Sequence, residues 1–431
     1  MESAEGFDEF FVEMADYEIK KSGKFDRMWR TEQGGSIASG VVLSDGLLYV
    51  ASANYNIYCI RPEDGEIVWK FHTEGVIVEA EPTIAHGIVY AASYDRNVYA
   101  IDAKAGELVW KFTTSDKIAS SVVESEGMVY VGGKDHNVYG LDAKSGELVW
   151  KFRTFDCLIS QALVVGERLF IGSYDHFVYC IDKRTGNLLW KFETQGEIHN
   201  TNEFAHRDGV LYFGSFDNYT RAVDIETGKL IWKTKCGNYG MGCAPVIHGN
   251  RIYQATRGGE LFVLDIEGGL VWKYTGSEED VMGIPCFHNG LLYLPSAGDW
   301  CMHCFNLDGR ELWRFKTDGI VYERSVMIGD NLIFPSWDCN LYCIDVRTRN
   351  VVWKFRAPGA PAYVPPPYES FEVEMSVSEK EVEESGRKSY DLGAGSEEAG
   401  LDTYKSRITY QVSTQYASKG KYQVDSDEEA F

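Results

Sequence analysis

Tryptophan keeps a beat along this chain. It recurs at Trp29, Trp69, Trp110, Trp150, Trp190, Trp232, Trp272, Trp313 and Trp353, always 40 to 42 residues apart, and only Trp300 and Trp337 fall off the pattern. A fixed period of this length means one supersecondary unit copied in series. The interior of each unit repeats too: "DAKAGELVWKF" at 102–112 returns as "DAKSGELVWKF" at 142–152. Between successive tryptophans lie short segments with period-two alternation or β-branched runs, closed by Gly, Asp or Asn. Four antiparallel strands of about five or six residues each, joined by hairpins, fit one unit. Between Gly34 and Arg356 no long amphipathic helical pattern appears, so a helical solenoid and a βαβ sheet are excluded.

Four-stranded sheets at this period are the blades of a β-propeller. The spacing predicts an all-β fold: an eight-bladed β-propeller of four-stranded antiparallel blades. Leucine-rich repeats are shorter, and no Trp–Asp dipeptide of the WD40 kind sits at a periodic position. The recurring pattern is instead Ala-x-Asp-x-x-x-Gly-x-x-x-Trp, as in Ala100, Asp102, Gly106 and Trp110. It resembles the tryptophan-docking repeat of the PQQ-like (pyrroloquinoline-quinone-type) propellers over about residues 26–357. That family includes quinoprotein alcohol dehydrogenases and the outer-membrane assembly scaffold lipoprotein. The resemblance implies that Trp69, Trp110, Trp150, Trp190, Trp232, Trp272, Trp313 and Trp353 dock between blades.

The motif makes physical sense. A tryptophan on the outermost strand buries a broad flat surface, and its indole N–H needs an acceptor. Asp102, Asp142, Asp182, Asp224 and Asp345 are placed to cap the hairpin between the third and fourth strands, and the Gly four residues before Trp supplies a positive φ. Departures are Arg61 at the Asp position, Arg349 at the Gly position, and hairpins one residue shorter in units 6 and 7. A second Asp recurs after the second strand (Asp95, Asp135, Asp175, Asp217, Asp299, Asp338) and is expected to cap that turn.

Three regions are expected: an amphipathic acidic segment at 1–24, the propeller at 25–357, and a Pro-rich linker with an acidic tail at 358–431. Phe7, Phe10, Phe11, Met14 and Tyr17 have helical spacing. The last 64 residues hold 15 acids against 7 bases, a composition that reads as largely disordered apart from the alternating stretches 371–378 and 408–412. Nine periodic tryptophans compete for eight outer positions, so the strand at 27–31 and the strand at 351–355 are both placed to close the ring, one as a fifth strand.

The formal charge of −23 and the absence of a basic cluster exclude nucleic acid as a partner. No apolar run approaches a signal or membrane helix, so membrane insertion is not expected. Ten cysteines over 431 residues do not make a disulfide framework. Cys59, Cys180, Cys304 and Cys343 share a third-strand slot with Ala100, Gly140 and Ala222, a small apolar site. Cys301 and Cys304 mimic a CxxC pair, but residues three apart on a strand point to opposite faces, so no metal is expected there. A reduced, cytoplasmic monomer is the expectation.

The candidate site lies on the innermost strands. Most copies carry small residues there, but unit 2 has Glu79 and Glu81, unit 4 has Gln161, unit 5 has His199, Asn200, Asn202 and Glu203, and unit 8 has Tyr322, Glu323 and Arg324. These groups are expected to converge at the central funnel, as a binding site for a small polar ligand or cation or as the lining of a watery channel. His86, His248 and His288 fall in turns between the first two strands and are expected to be solvated. In the quinoprotein dehydrogenases the resemblance implies a quinone sandwiched between a tryptophan and an adjacent-cysteine disulfide, beside calcium. This sequence has no Cys–Cys dipeptide. No cofactor and no catalytic residue is therefore expected. The sequence reading favours a non-catalytic scaffold for unidentified protein partners, with a ligand-binding protein or enzyme using the funnel as the alternative.

Overall fold

The computed structural model describes residues 35–199, 203–276 and 283–359. They form eight four-stranded antiparallel sheets, each in simple meander order, with no helix. Blade 1 comprises β1 (Val42–Ser44), β2 (Leu47–Ser52), β3 (Asn56–Ile60) and β4 (Ile67–His72), and blade 8 ends with β32 (Val351–Arg356). First strands of neighbouring blades approach one another, which puts them innermost around the axis of an eight-bladed propeller. The expected count and strand order are borne out. The proposed N-terminal helix, the strand at 27–31 and the C-terminal tail lie outside the described residues.

One length differs from expectation. Every innermost strand is only three residues long, as in Thr83–Ala85 and Val123–Ser125. Where eight strands converge, hydroxyls substitute for ladder bonds. Ser39 Oγ accepts from Ala51 N and donates to Ala51 O, both at 3.0 Å, and Ser120 Oγ does the same for Gly132 at 3.0 and 2.7 Å.

Between blades, each periodic tryptophan among the described residues faces the third-strand slot of its own sheet, small in every blade but the sixth: Cys59 opposite Trp69, Gly140 opposite Trp150, Cys343 opposite Trp353. Its ring lies on the hairpin of the next blade. A Cβ on Gly106 would stand 2.7 Å from the Trp69 ring, and one on Gly186 would stand 2.7 Å from that of Trp150. Trp69 Nε1 donates to Ala103 O at 2.9 Å and Trp150 Nε1 to Lys183 O at 2.9 Å. The last junction uses the same device. Trp353 packs on Gly65 and donates to Pro62 O at 2.7 Å, so β32 closes the ring onto blade 1.

The irregular hairpins keep the geometry by other means. Arg349 adopts φ 63° where other units have glycine, with its guanidinium 5.9 Å from the Trp313 ring centroid. In blade 1, Asp64 takes over the capping, accepting from Glu66 N at 3.1 Å and from Arg61. The second recurring aspartate does more than cap its turn. Asp135 accepts from Asn137 N at 3.2 Å, from Tyr139 OH at 2.5 Å, and from Ser115 N in the crossover that enters the blade, at 3.0 Å. Asp95, Asp175 and Asp338 make the equivalent set.

Candidate functional site at the propeller axis

In the turn after the second strand, one residue lies against the crossing that leads to the inner strand, at the mouth of the axis. These residues are Ala53, Tyr94, Lys134, Tyr174, Phe216, Arg257 and Trp337 in blades 1 to 6 and 8. Each donates its backbone N–H, at 2.9 to 3.1 Å, to the carbonyl of the first residue of the inner crossing: Ser36, Val76, Lys117, Cys157, Glu197, Gly240 and Ile320. From that carbonyl to the first residue of the inner strand is six positions in five of these units, as from Ser36 to Val42 or Ile320 to Val326. Unit 2 takes seven, Val76 to Thr83, and unit 5 takes eight, Glu197 to Ala205. Symmetry is therefore broken by insertion at the axis.

Glu79 occupies the lengthened crossing of unit 2. Its φ is 66°, a left-handed conformation that costs a non-glycine residue about 1–2 kcal/mol, and its side chain is buried. Burial raises its carboxyl above the usual range, against the pull of Lys134 and Arg257. His199 is buried in the lengthened crossing of unit 5, edge-on to Tyr174 and Phe216 at 5.8 and 5.7 Å between ring centroids. Burial lowers its pKa to about 3, helped by Arg257 and Lys134, so the imidazole is neutral. From blade 8, Tyr322 reaches to blade 6 and donates to Gly242 O at 3.1 Å. Glu323 follows it at 1% exposure, with its carboxyl raised well above the usual range by burial and by Glu81 and Glu79.

The predicted residues thus fall into two groups. Glu81 and Arg324 form an ion pair at 3.2 Å that spans blade 1, whose Gly40 leaves the room: a Cβ there would stand 2.2 Å from Glu81 Oε1. Glu203 is exposed and adds negative charge near both. This pair is a clasp across the ring junction. The second group gathers around Glu79, His199, Tyr322 and Glu323, with Lys134 and Arg257 as its cations. Gln161 is buried, with Oε1 making no hydrogen bond. Asn200 and Asn202 lie outside the described residues. The mouth residues were missed by sequence reasoning, although the position before the recurring Asp marks five of the seven in the alignment of repeats.

Two histidine expectations need correction. His86 is exposed, but His248 stacks on Phe287 at 4.2 Å and His288 is half-buried near Asp330 at 3.8 Å, because neighbouring blades cover those turns. Blade 7 holds a further group that was not foreseen. Asp299, Cys301 and His303 alternate along one face, with potential ligand atoms within 4.8 Å of one another. His303 stands where blades 1 to 4 and 8 have Tyr, and its two nitrogens lie 3.1 Å from Asp299 and Glu311. Arg314 bonds both carboxylates. Burial would lower the His303 pKa, but Asp299 and Glu311 outweigh it and the net shift is upward. Two carboxylates on one imidazolium, with a guanidinium beside them, are satisfied without a metal ion.

Among solved structures, the chain is similar to the outer membrane protein assembly factor BamB of Moraxella catarrhalis, at 17% identity and TM-score 0.61, covering 70% of this chain and 94% of that one. It is equally similar to the computationally designed Ika8 protein, at 16% identity and TM-score 0.62, covering 71% and 95%. A europium-containing methanol dehydrogenase matches at 16% identity and TM-score 0.55, covering 65% and 78%. No curated protein matches the sequence. The family model described as outer membrane protein assembly factor BamB matches residues 21–151, which bears out the PQQ-like repeat on the assembly-factor side of that superfamily. A second family model, described as the β-propeller of beta-alanine-activating enzyme, matches residues 119–382, more than half of the chain. The chain carries PQQ-like propeller repeats and belongs to this β-propeller family.

Proposed function

We propose that this propeller is a non-catalytic protein-interaction scaffold that has given up quinone binding. The observation that carries the reading is on the rim. In every blade but the seventh, the outer strand opens on two exposed aliphatic residues, such as Ile67–Val68, Leu108–Val109, Leu148–Val149 and Leu188–Leu189. Blade 7 contributes Leu312, and each of these side chains is 44% to 56% exposed. Both members of a pair reach solvent because a bulge shifts the register there, as between Gly140 and Leu141. Apolar side chains repeated around one end of a soluble protein mark a contact surface for other proteins. The strand edges themselves are guarded. The residue after each docking tryptophan is an exposed Lys or Arg, from Lys70 to Lys354, which disfavours pairing with a foreign strand. A partner therefore docks by side chains rather than by strand addition.

Loss of the quinone is supported by the missing Cys–Cys dipeptide and by an axis lined with charged groups. The ten cysteines are free thiols, nine of them buried, which supports a reducing compartment. The test places a photo-crosslinking residue at Val109, Val149 or Leu189 in the native host, with Lys104 as the control. A discrete adduct from the rim positions, lost when the neighbouring aliphatics become Ser, is the expected result. No adduct, or one indifferent to those changes, overturns the scaffold. Retention of added quinone and calcium at one equivalent after gel filtration overturns the loss of the cofactor.

A further inference from the structure

Blade 4 departs from its neighbours at the end of its outer strand remote from the Leu188–Leu189 pair. In five blades the residue after the crossover threonine donates its N–H to the recurring aspartate: Glu74, Ser115, Phe155, Gln195 and Asp318. Four of these are polar. Phe155 is 78% exposed, more than any other large apolar side chain among the described residues, and its bond to Asp175 at 2.9 Å fixes its backbone. A second substitution lies beside it. The third strand opens on Asn56, Asn97, Asn137 and Asn340 in blades 1, 2, 3 and 8, and each amide donates to a carbonyl of the preceding turn. Phe177 stands there in blade 4 and Tyr219 in blade 5, both half-buried, and neither ring carries an amide to make that bond. Two adjacent blades thus give up a turn contact and present aromatic surface to solvent, which folding alone does not favour.

Lysines complete the surface. Lys191 Nζ lies 3.9 Å from the Phe177 ring centroid and 5.6 Å from that of Phe155, and Lys233 Nζ lies 5.0 Å from that of Tyr219. The outer strands Leu148–Arg153, Leu188–Glu193 and Leu230–Lys235 expose Lys151, Arg153, Lys191, Lys233 and Lys235, and their only acid is Glu193. In a chain of net charge −23 this is a local positive field beside aromatic rings. We infer that blades 4 and 5 form a docking surface for an acidic peptide segment of a partner protein. A bulky apolar side chain of that segment packs on Phe155 and Phe177, and its carboxylates pair with Lys191, Lys233 and Arg153. Aromatic anchors with cations beside them supply much of the energy of such contacts. Charge selects the occupant: a basic segment would meet five like charges, and a nucleic acid would be repelled by the net charge of the whole molecule. The surface lies at the far end of the outer strands from the aliphatic pairs, so it stands whether or not the rim crosslinks.

Fluorescence anisotropy tests this on the full chain with a labelled peptide in which a Leu–Phe pair is flanked by glutamates. Saturable binding is expected, weakened at least about tenfold by Phe155→Ser and by Lys191→Glu. Added salt is expected to weaken it too, because the carboxylate–lysine pairs are exposed to screening. Lys70→Glu, at the same strand position in blade 1, is expected to leave it unchanged. Phe155 is so exposed that its replacement keeps the fold, which the melting temperature checks. Analogues with lysine for glutamate, or with serine for Leu and Phe, are expected to bind at least about tenfold more weakly. No saturable binding, binding indifferent to Phe155→Ser, or an oligothymidylate that binds better than the peptide would each overturn the inference.

Discussion

The docking tryptophan is the element on which the ring depends, and Trp150 is the cleanest one to remove. Its ring is 8% exposed, lies against Gly186 of the next blade and Gly140 of its own, and stands 5.9 Å from the Tyr130 ring centroid. Emptying a site of this size costs about 3–5 kcal/mol. The lost bond to Lys183 O adds about 1 kcal/mol. Trp150→Ala is therefore expected to destabilise the propeller by roughly 4–6 kcal/mol, and Trp150→Phe, which keeps most of the ring, by about 1–2 kcal/mol. The contrast is Trp300, off the periodic beat. It is half-buried, sits at φ 58° in the turn of blade 7, and its ring is covered by Lys316 at 5.0 Å. Trp300→Ala should cost about 1 kcal/mol or less, because a half-buried ring over a lysine removes little surface from water. Urea unfolding of the three variants, followed by tryptophan fluorescence and far-UV circular dichroism, provides the comparison. Equal midpoints for Trp150→Ala and Trp300→Ala would refute the docking role.

Glycine's two contributions separate by position: Gly87→Ala, at φ 76° with open space, should cost about 1–2 kcal/mol, and Gly106→Ala, at φ 71° but against the Trp69 ring, about 1–3 kcal/mol more by thermal unfolding. Asp135→Ala removes an acceptor from three donors and is expected to cost about 2–3 kcal/mol, against about 1 kcal/mol for Tyr139→Phe; equal losses would show that the link to Ser115 contributes nothing. In blade 7 the raised pKa of His303 means that its ion pairs stabilise fully below the unfolded value near 6.5 and are lost as pH rises through the folded value. Asp299, lowered to about 2, contributes above its unfolded value near 3.8 and loses that contribution as pH falls toward 2. The melting temperature of the wild type should therefore decline relative to His303→Tyr as pH rises from neutrality to 9, and parallel pH curves would count against the charged imidazole.

Much of this architecture is written locally. A unit of the repeat contacts mainly its neighbours, so Trp110, Gly106 and Asp102 disclose the blade, the hairpin and the docking surface from forty residues of sequence. The small slot shared by Cys59, Ala100 and Gly140 was legible for the same reason, since it faces the tryptophan one strand away. What escaped depends on the ring as a whole. Lys134 and Arg257 look like ordinary turn residues until eight turns are folded around one axis. Glu81 and Arg324 are far apart in sequence, and only closure of blade 8 onto blade 1 brings their side chains to 3.2 Å, past a glycine that the repeat alone does not explain. The surplus between Trp29 and Trp353 was also undecidable from spacing. The bond from Trp353 to Pro62 O shows which strand occupies the outer position of the last blade.

The distribution of irregularity argues that rim and axis do different work. At the rim the blades are near copies: the same bulge, the same exposed aliphatic pair and the same edge cation recur, and departures such as Arg349 preserve the shared backbone. Such regularity repeats one surface around the ring, because each unit stacks on its neighbours in the same way. At the axis the repeat is broken in only a few places, and each break costs stability. Glu79 adds a residue in a left-handed conformation, His199 is buried as a neutral base with both nitrogens unbonded, and Glu323 is buried beside two other acids. A channel that merely held water would be built more stably from the serines and alanines of units 1 and 3, which are already compatible with the fold. Unsatisfied groups persist where a bound partner satisfies them. Glu79, His199 and Glu323 come from blades 2, 5 and 8, so whatever satisfies them ties distant blades together, whereas a partner on the rim leaves the axis untouched. Serine substitutions of the rim aliphatics that abolish crosslinking should then leave the melting temperature of the ring nearly unchanged.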